Sequence, residues 1–157
     1  MQASMSVFRW LPCPVVFICT AHQDRRDIMT ATAMFVSETE PLVTVSVANG
    51  HLTEGLIDAA GEFVMAIAST LQKDLAIQVG SSPGDGKDKY ERFGIRCLAG
   101  APGTPGIPED SAAWMRCRVE HSQGILGYAV HIARVMESGN LGRSPLVWQE
   151  DAFFSLA

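Results

Sequence analysis

Two strand-like runs, one following the other, constrain the fold of this chain more than any other feature. The first lies in Asp27-Ile-Met-Thr-Ala-Thr-Ala-Met-Phe-Val-Ser and the second in Glu40-Pro-Leu-Val-Thr-Val-Ser-Val-Ala-Asn. Thr and Val favour the pleated, half-buried surface of a sheet. The short side chains of Thr30, Ala31 and Thr32 would also let a flat ligand approach the backbone closely. The same composition suits an ordinary half-buried strand, and that alternative stays open here.

Hydrophobic patterning predicts six strands and three helical segments. Strands are expected over 15–20, 31–37, 42–47, 63–68, 114–120 and 125–137. Helices are expected over 53–60 and 71–79, with a short helical turn over 88–93. Ser122-Gln-Gly is expected to be the hairpin loop between the last two strands.

This pattern of many strands and few helices predicts a mainly β (α+β) protein. An antiparallel barrel, closed or partly closed, is expected because closure removes exposed strand edges. Residues 1–157 are expected to form one domain with its core over about 12–137 and a tail over 138–157. The segments 81–87 and 99–108 are rich in Gly or Pro and are expected to be surface loops.

The segment Asn49-Gly-His-Leu-Thr53 precedes a helical pattern that stops at Gly61. Thr53 is expected to be the N-cap, because its hydroxyl would accept a hydrogen bond from a free backbone amide. Gly61 suits the left-handed residue that ends a helix. Helix starts also attract anions, so this turn is a candidate phosphate site, although most capped helices hold only their own cap.

Charge and hydropathy argue against several classes of protein. Twelve Lys and Arg residues against 17 Asp and Glu residues give a net charge of −5, with no basic run longer than Arg25-Arg26. Nucleic acid is therefore not an expected partner. No stretch reaches the roughly 20 apolar residues that a membrane-spanning helix needs. Pro12 and Pro14 interrupt the apolar run after Arg9, which argues against a signal peptide and favours a cytoplasmic protein.

The side chains that could carry chemistry form few recognisable patterns. The four cysteines, Cys13, Cys19, Cys97 and Cys117, have no metal-ligand spacing and are expected to be reduced thiols. Cys13-Pro14 can accompany haem thiolate ligation, but a structural cysteine is the preferred interpretation. No metal site and no catalytic acid–base pair is predicted, and the catalytic residues stay unassigned. The aromatic residues Trp114, Phe153 and Phe154 could wall a flat ligand, with core or dimer packing as the default.

The order of the motifs resembles the flavin reductase-like, FMN-binding split-barrel proteins. The resemblance covers about 12–135 and is carried by Pro14-Val-Val-Phe-Ile-Cys-Thr, Asp27-Ile-Met-Thr-Ala-Thr, Glu40-Pro-Leu-Val-Thr-Val-Ser-Val, Gly61-Glu-Phe-Val and Lys89-Tyr. It implies an antiparallel split β-barrel of Greek-key type with two or three flanking helices. It also implies a homodimer that holds FMN, possibly FAD, near the subunit interface and uses NAD(P)H as co-substrate.

The resemblance further implies a set of cofactor-binding residues. Those expected along the isoalloxazine edge are Met29, Thr30, Ala31 and Thr32. Those expected near the ribityl phosphate are Ser46, Val47, Ala48, Asn49 and Thr53, with Lys89 supplying a cation. Without the resemblance, Lys89 would be interpreted as a solvated lysine in a mobile loop. A phosphate needs donors and positive charge, and a reduced flavin needs hydrogen-bond partners.

Two departures from the family pattern bear on function. Asp27 stands where many members have Asn, and its carboxylate would repel a nearby phosphate or accept from flavin N3. Gly127-Tyr-Ala129 stands where many members carry Gly-Asp-His. That histidine is associated with the nicotinamide and flavin pocket, so its replacement bears more on NAD(P)H turnover than on flavin binding. His131 lies two residues further along the same strand face and could compensate for that replacement, with a packed core histidine as the preferred interpretation.

The leading hypothesis is an oxidoreductase of flavin reductase type. Hydride would pass from NAD(P)H to the flavin, and the reduced flavin would serve a partner oxygenase or another acceptor. One alternative is a non-catalytic FMN- or haem-binding electron carrier or sensor of the same fold. A weaker alternative is a dimeric relative that has lost its cofactor.

Overall fold

The computed structural model describes residues 7–82 and 87–156. The α-helices in this part of the chain are α1 (Leu52–Ala60), α2 (Lys73–Gly80) and α3 (Lys89–Arg92). The strands are β1 (Cys13–Pro14), β2 (Val16–His22), β3 (Arg25–Ala31), β4 (Met34–Ser37), β5 (Leu42–Ala48), β6 (Glu62–Ile67), β7 (Ala113–Ile125), β8 (Tyr128–Asn140), β9 (Leu146–Gln149) and β10 (Ala152–Ser155). Two 3-10 turns lie at Phe8–Trp10 and Thr70–Gln72.

Seven of the strands form one antiparallel sheet in the order β3-β2-β6-β7-β8-β5-β4. Register shifts between Arg116 and Cys117 and between Val119 and His121 interrupt the long β7–β8 ladder, and such bulges bend the strands. Strands β3 and β4 follow one another in the chain but occupy opposite edges of the sheet. The predicted mainly β, antiparallel class is confirmed, and the sheet is left open between β3 and β4.

The two faces of β2 are buried in different clusters, because alternate side chains of a strand point to opposite faces. Val16 and Ile18 enter an inner cluster, where they are packed with Phe63 and side chains of β5, β7 and β8. Phe17 and Cys19 enter an outer cluster, which includes side chains of α2, α3 and β9. Helices α2 and α3 therefore cover the outer face of the sheet close to its β3 edge, while α1 contributes Ile57 to the inner cluster.

Helix α1 begins differently from the prediction. Its N-cap residue is His51, whose side chain makes no capping hydrogen bond. The Thr53 hydroxyl is buried and donates to Asp27 Oδ2 at 2.6 Å. The prediction of Thr53 as the N-cap is wrong because the hydroxyl bonds a charged carboxylate, which forms a stronger hydrogen bond than a neutral partner. The predicted left-handed end at Gly61 is confirmed, with φ of 71° and its amide donating to Ile57 O.

The other helices lie close to their predicted positions. Residues predicted as one helix over 71–79 form the 3-10 turn followed by α2, and Ser69 and Gln72 make a capping box at its start. Helix α3 is one turn long, and the Asp88 carboxylate accepts from the Tyr90 amide at 2.9 Å. None of the helices in residues 7–82 and 87–156 is long and apolar enough to cross a membrane.

Two features of the strands correct the predictions. The strand expected over 31–37 is divided, since β3 ends at Ala31 and β4 begins at Met34. The hairpin turn is not Ser122-Gln-Gly, which lies within β7, but Leu126-Gly127. Leu126 and Gly127 have φ of 48° and 87°, and a type I′ turn needs positive φ at both central residues.

The chain beyond β8 forms a second, small sheet, although the sequence predicted no element there. Its strand order is β1-β9-β10. Leu146 is 3% exposed and anchors this sheet to the large one. Its amide donates to Ala68 O at 2.9 Å, and its carbonyl accepts from the Val15 amide at 3.1 Å.

Candidate functional site

Three adjoining cavities surround the connection between β3 and β4. We call them the serine cavity, of about 450 Å³, the aromatic cleft, of about 270 Å³, and the methionine cavity, of about 330 Å³. Thr32 lines the first two, while Pro14, Ala33 and Met34 line both the first and the third. The residues that connect β3 to β4 therefore border all three cavities.

The serine cavity brings together two segments that the sequence predicted to bind one ligand. Thr32 at the end of β3 and Ser46 of β5 both line it, as does Thr44. Side chains alternate along β5, so Val43, Val45 and Val47 are buried while Thr44 and Ser46 face the other side. The Thr44 hydroxyl donates to the His131 carbonyl at 3.1 Å. Ser46 is exposed.

The aromatic cleft lies along the end of β3. Thr30, Ala31 and Thr32 line it together with Val15, Trp148 and Phe153. The Thr30 hydroxyl donates to the Ala76 carbonyl at 2.7 Å, which fixes this side chain against α2. The cleft thus has short side chains on its β3 wall and aromatic rings from β9 and β10.

None of the residues that line these three cavities, within the described part of the chain, is Asp, Glu, Lys or Arg. An uncharged concave surface with a few hydroxyl groups suits a flat, largely apolar ring. It does not suit a phosphate, which needs donors and positive charge.

Basic side chains are found at a different cavity, beside the start of α1. This basic cavity, of about 530 Å³, is lined by His22, Arg25, His51 and Glu54, among others. It includes Gly50 and His51 and so adjoins the turn predicted to hold a phosphate. The Asn49 amide donates to Gly127 O at 2.9 Å, which ties this turn to the β7–β8 hairpin.

Lys89, predicted to supply a cation to the cofactor, is buried. Its ammonium lies 3.3 Å from Asp27 Oδ1 and donates to the Ile28 carbonyl at 2.9 Å. The interpretation as a solvated loop lysine is wrong, and in this structure the charge of Lys89 is engaged by Asp27. Asp27 in turn faces Thr53 and Lys89 rather than an open cavity.

The remaining predicted cofactor-binding residues do not line the three cavities. Val47 is completely buried, and Met29 is partly buried against the inner cluster. Ala48 ends β5 and Asn49 follows it in an exposed turn. The structure therefore brings Thr30, Ala31, Thr32 and Ser46 to the cavities and leaves Val47, Thr53 and Lys89 in the interior.

A second ion pair supports the same edge strand. Arg26 Nη2 lies 2.7 Å from Asp88 Oδ2, and the Arg26 guanidinium lies 4.5 Å from the centre of the Tyr90 ring. The hydrogen bond that the Arg26 guanidinium donates to the Asp88 carboxylate raises the pKa of Arg26. Burial raises the pKa of Tyr90, and its hydroxyl donates to the Gly106 carbonyl at 2.8 Å. Arg26 and Asp27 of β3 are thus tied to the N-cap and the first residue of α3.

His131 does not reach the cavities. It is completely buried opposite Val45, with Nδ1 at 2.7 Å from Ser122 Oγ, and the described residues offer no hydrogen-bond partner to Nε2. Burial lowers the pKa of His131, and the negative charge of Asp58 opposes this effect. The expectation of a packed core histidine is confirmed. Ala129, which the resemblance predicts to stand at the position of a family histidine, is also buried and lies opposite Val47.

The four cysteines are free thiols, as predicted. Burial raises the pKa of Cys19 and of Cys117 to about 12, so both are uncharged at neutral pH. Cys13 lines the serine cavity.

The sequence alone does not tell which aromatic residues line a cavity. Phe153 lines the aromatic cleft, Trp114 packs against the outer cluster, and Phe154 is half-exposed. Trp148 reaches the cleft through the pairing of β9 with β10, which no local sequence signal indicates. Cys13 and Pro14 likewise reach the serine cavity only because β1 pairs with β9.

An open antiparallel sheet that is split between β3 and β4 is the architecture of the split-barrel class. Residues 8–157 match the family model described as "Flavin reductase like domain". The chain belongs to this family.

Three proteins illustrate what this chain is similar to. The uncharacterized protein YddH of Escherichia coli K12 is 33% identical over 110 residues, which are 68% of this chain and 58% of YddH. The NADH:FAD oxidoreductase SgcE6 of Streptomyces globisporus superposes with a TM-score of 0.84 at 19% identity, covering 96% of this chain and 90% of SgcE6. An FMN-binding protein of Thermus thermophilus, solved with 1-cyclohex-2-enone, superposes with a TM-score of 0.82 at 20% identity, covering 94% of this chain and 88% of that protein. The two superpositions show a shared fold.

Proposed function

We propose that this protein is an FMN-binding oxidoreductase of flavin reductase type, acting as a single-domain homodimer in the cytoplasm, where NAD(P)H is available. The bound FMN or FAD supplies hydride acceptance from NAD(P)H and electron delivery to a partner oxygenase or another acceptor. The observation that carries the proposal is the position of Thr32 in both the serine cavity and the aromatic cleft. The segment expected along the isoalloxazine edge thereby faces an uncharged concave surface in a flavin reductase-like chain.

The residues present fit a flavin ring. Ala31, Thr32 and Ser46 are small, so a ring can lie close to the backbone of β3 and β5. Hydroxyl groups of Thr32 and Ser46 can donate to or accept from the polar edge of the ring. The protein's part in the reaction is to bind and orient this ring and to exclude water from the buried side of it.

The phosphate of the cofactor is proposed to lie toward the start of α1. Arg25 and His51 line the basic cavity beside the predicted turn 49–53 and can donate hydrogen bonds to the phosphate, while Glu54 lines the same cavity and would oppose an anion. Lys89 and Thr53 are assigned a supporting role instead, since both bind Asp27 and so hold β3 in place.

The homodimer is proposed to cover the β4 edge. Met34, Phe35 and Val36 are 65%, 63% and 50% exposed, and they form an apolar strand edge next to the cavities. A second copy of the chain on this edge would bury these side chains and narrow the serine and methionine cavities. Sedimentation of the wild-type protein and of Phe35→Lys tests this, with a dimer expected for the first and a monomer for the second.

A specific observation favours a second candidate function, that of a flavin-binding electron carrier. Ala129 stands where the resemblance predicts a histidine, and its methyl group can neither donate nor accept a hydrogen bond. His131 is completely buried, with its Nδ1 2.7 Å from Ser122 Oγ.

One experiment separates the two functions. The protein is mixed with FMN and either NADH or NADPH in air, and the nicotinamide absorbance is followed against a sample that lacks protein. Steady loss above the protein-free rate supports the reductase. A protein that binds FMN but leaves both nucleotides unchanged supports the carrier, and a protein that does not bind flavin contradicts both.

A further inference from the structure

The last two strands place two aromatic rings across the aromatic cleft from β3. Trp148 of β9 lies directly opposite Phe153 of β10 in the hairpin register. Directly opposed residues of an antiparallel pair project from the same face. Both rings consequently line the cleft, facing Thr30, Ala31 and Thr32.

The hairpin that carries these rings is firmly attached to the protein. Trp148 also pairs with Cys13 of β1, and the nearby Gln149 side chain donates to the Arg9 carbonyl at 2.6 Å. Lys73 Nζ, at the start of α2, lies 5.9 Å from the centre of the Phe153 ring, within the range of a cation–π contact. The two rings are thus held in place, yet both remain partly accessible.

The size and chemistry of the cleft select the kind of group that it can hold. A volume of about 270 Å³ lies below the roughly 300–1,000 Å³ of sites for whole drug-sized ligands, so the cleft takes a ring rather than a nucleotide. Aromatic rings on one wall stack favourably on a flat ligand. The short side chains on the other wall would let that ligand approach the backbone of β3 closely.

We infer that Trp148 and Phe153 form one wall of the cofactor site and stack the isoalloxazine ring of the flavin against the end of β3. This inference rests on the proposed function. It gives the residues after 140 a direct role in ligand binding, which neither the family match nor the sequence motifs assign. It also makes Phe153 and Trp148 determinants of flavin affinity.

The affinity test compares two neighbouring phenylalanines. FMN is titrated against the wild-type protein, Phe153→Leu and the matched control Phe154→Leu, whose ring lies outside the cleft and is half-exposed. Loss of an aromatic contact worth about 0.5–1.5 kcal/mol corresponds to about two- to tenfold weaker binding. This loss is expected for Phe153→Leu, and wild-type affinity is expected for Phe154→Leu.

The fluorescence of the bound flavin is a second measurement, which reports contact between Trp148 and the flavin ring independently of stability. An indole in contact with a flavin quenches the flavin emission by electron transfer, which requires close approach. FMN bound to Trp148→Phe should therefore be several-fold brighter than FMN bound to the wild-type protein. The control is Trp10→Phe, because Trp10 is 77% exposed and does not line the cleft. Its bound FMN should be as dim as in the wild type.

The two proposals fail in different ways. If the wild-type protein binds FMN, and Phe153→Leu and Trp148→Phe match it in affinity and in flavin emission, the inference about the hairpin is overturned and the proposed function stands. If the wild-type protein binds no FMN, the proposed function fails and the inference falls with it. Circular dichroism of each variant verifies that the fold is retained, and Trp148→Phe keeps the test decisive if Phe153→Leu does not fold.

Discussion

The ammonium of Lys89 lies 3.3 Å from the Asp27 carboxylate although the two side chains are only 6% and 3% exposed. Desolvation of two charges is costly, and it is offset here by further hydrogen bonds. Thr53 donates to the second carboxylate oxygen, and Lys89 also donates to the Ile28 carbonyl. Together with Thr53, the pair therefore links α1, β3 and α3, in the same strand whose end leads to Thr32.

Replacement of Lys89 by Met should destabilise the protein by about 3–5 kcal/mol, because a buried carboxylate would lose its counter-ion. The free energy of unfolding from urea titration measures this effect. The double variant Asp27→Asn/Lys89→Met should be more stable than Lys89→Met, since it leaves no unpaired charge. Arg116→Met removes an exposed partner of Glu62 and Glu137 and should change stability by at most about 1 kcal/mol. A Lys89→Met protein as stable as Arg116→Met would contradict the assigned role.

Loss of a hydroxyl from the serine cavity should weaken flavin binding. One neutral hydrogen bond is worth about 0.5–1.5 kcal/mol, so Thr32→Val and Ser46→Ala should each raise the Kd for FMN about two- to tenfold. Thr104→Val is the control, because the Thr104 hydroxyl bonds the Ala101 carbonyl in a loop away from the cavities. Isothermal titration measures all three variants. Equal affinities throughout would place the flavin away from β3 and β5.

Burial of His131 should make the protein less stable in acid. The pKa of His131 is lowered from 6.5 in the folded protein, so below about pH 6.5 the unfolded chain binds more protons than the folded one. The contribution is complete above pH 6.5 and is lost as pH falls through the folded pKa, by at most about 1.4 kcal/mol per unit. His131→Gln should reduce this loss of stability in acid, measured as the free energy of unfolding from urea titrations between about pH 7.5 and pH 5. The exposed His121→Gln should keep it, and equal slopes for the two variants would exclude His131 as the cause.

The turn between β7 and β8 offers a stabilising substitution. Leu126 has a positive φ, which is strained for a residue with a bulky side chain. Its side chain is 96% exposed, so no buried contact offsets this strain. Leu126→Asn should raise the free energy of unfolding by about 1 kcal/mol, since Asn tolerates the left-handed region. Gly127→Ala should lower it by a similar amount, because φ is 87° there. Thermal unfolding of both variants measures the difference, and a Leu126→Asn protein no more stable than the wild type would argue against the strain.

Parts of the fold were predictable because their signals are local. The alternating Leu-Val-Thr-Val-Ser-Val run beginning at Leu42 and the apolar run beginning at Phe63 both form strands, and Gly61 ends α1 as expected. The motif around Thr30 and Thr32 likewise lies at the cavities. In these cases residues close in sequence determine the outcome.

Other parts depend on contacts between distant residues. The first residues of β3 are charged, and an edge strand with such residues lacks the apolar pattern of a buried strand. Lys89 follows a loop in sequence, but the Asp27 carboxylate 62 positions earlier draws it into the interior. The same applies to Trp148 and Phe153, whose role at the cleft follows from the pairing of β9 with β1 and β10.

The split between β3 and β4 has a consequence for motion. Adjacent strands elsewhere in the large sheet are joined by ladders, whereas these two are the outer strands of the strand order. A change in the distance between β3 and β4 would therefore break no strand pairing, and Thr32 and Ala33 are the residues that join these two edges along the chain. Backbone amides of β3 and β4 that face the split should exchange faster than amides of the central strands. A ring bound at the split should slow this exchange.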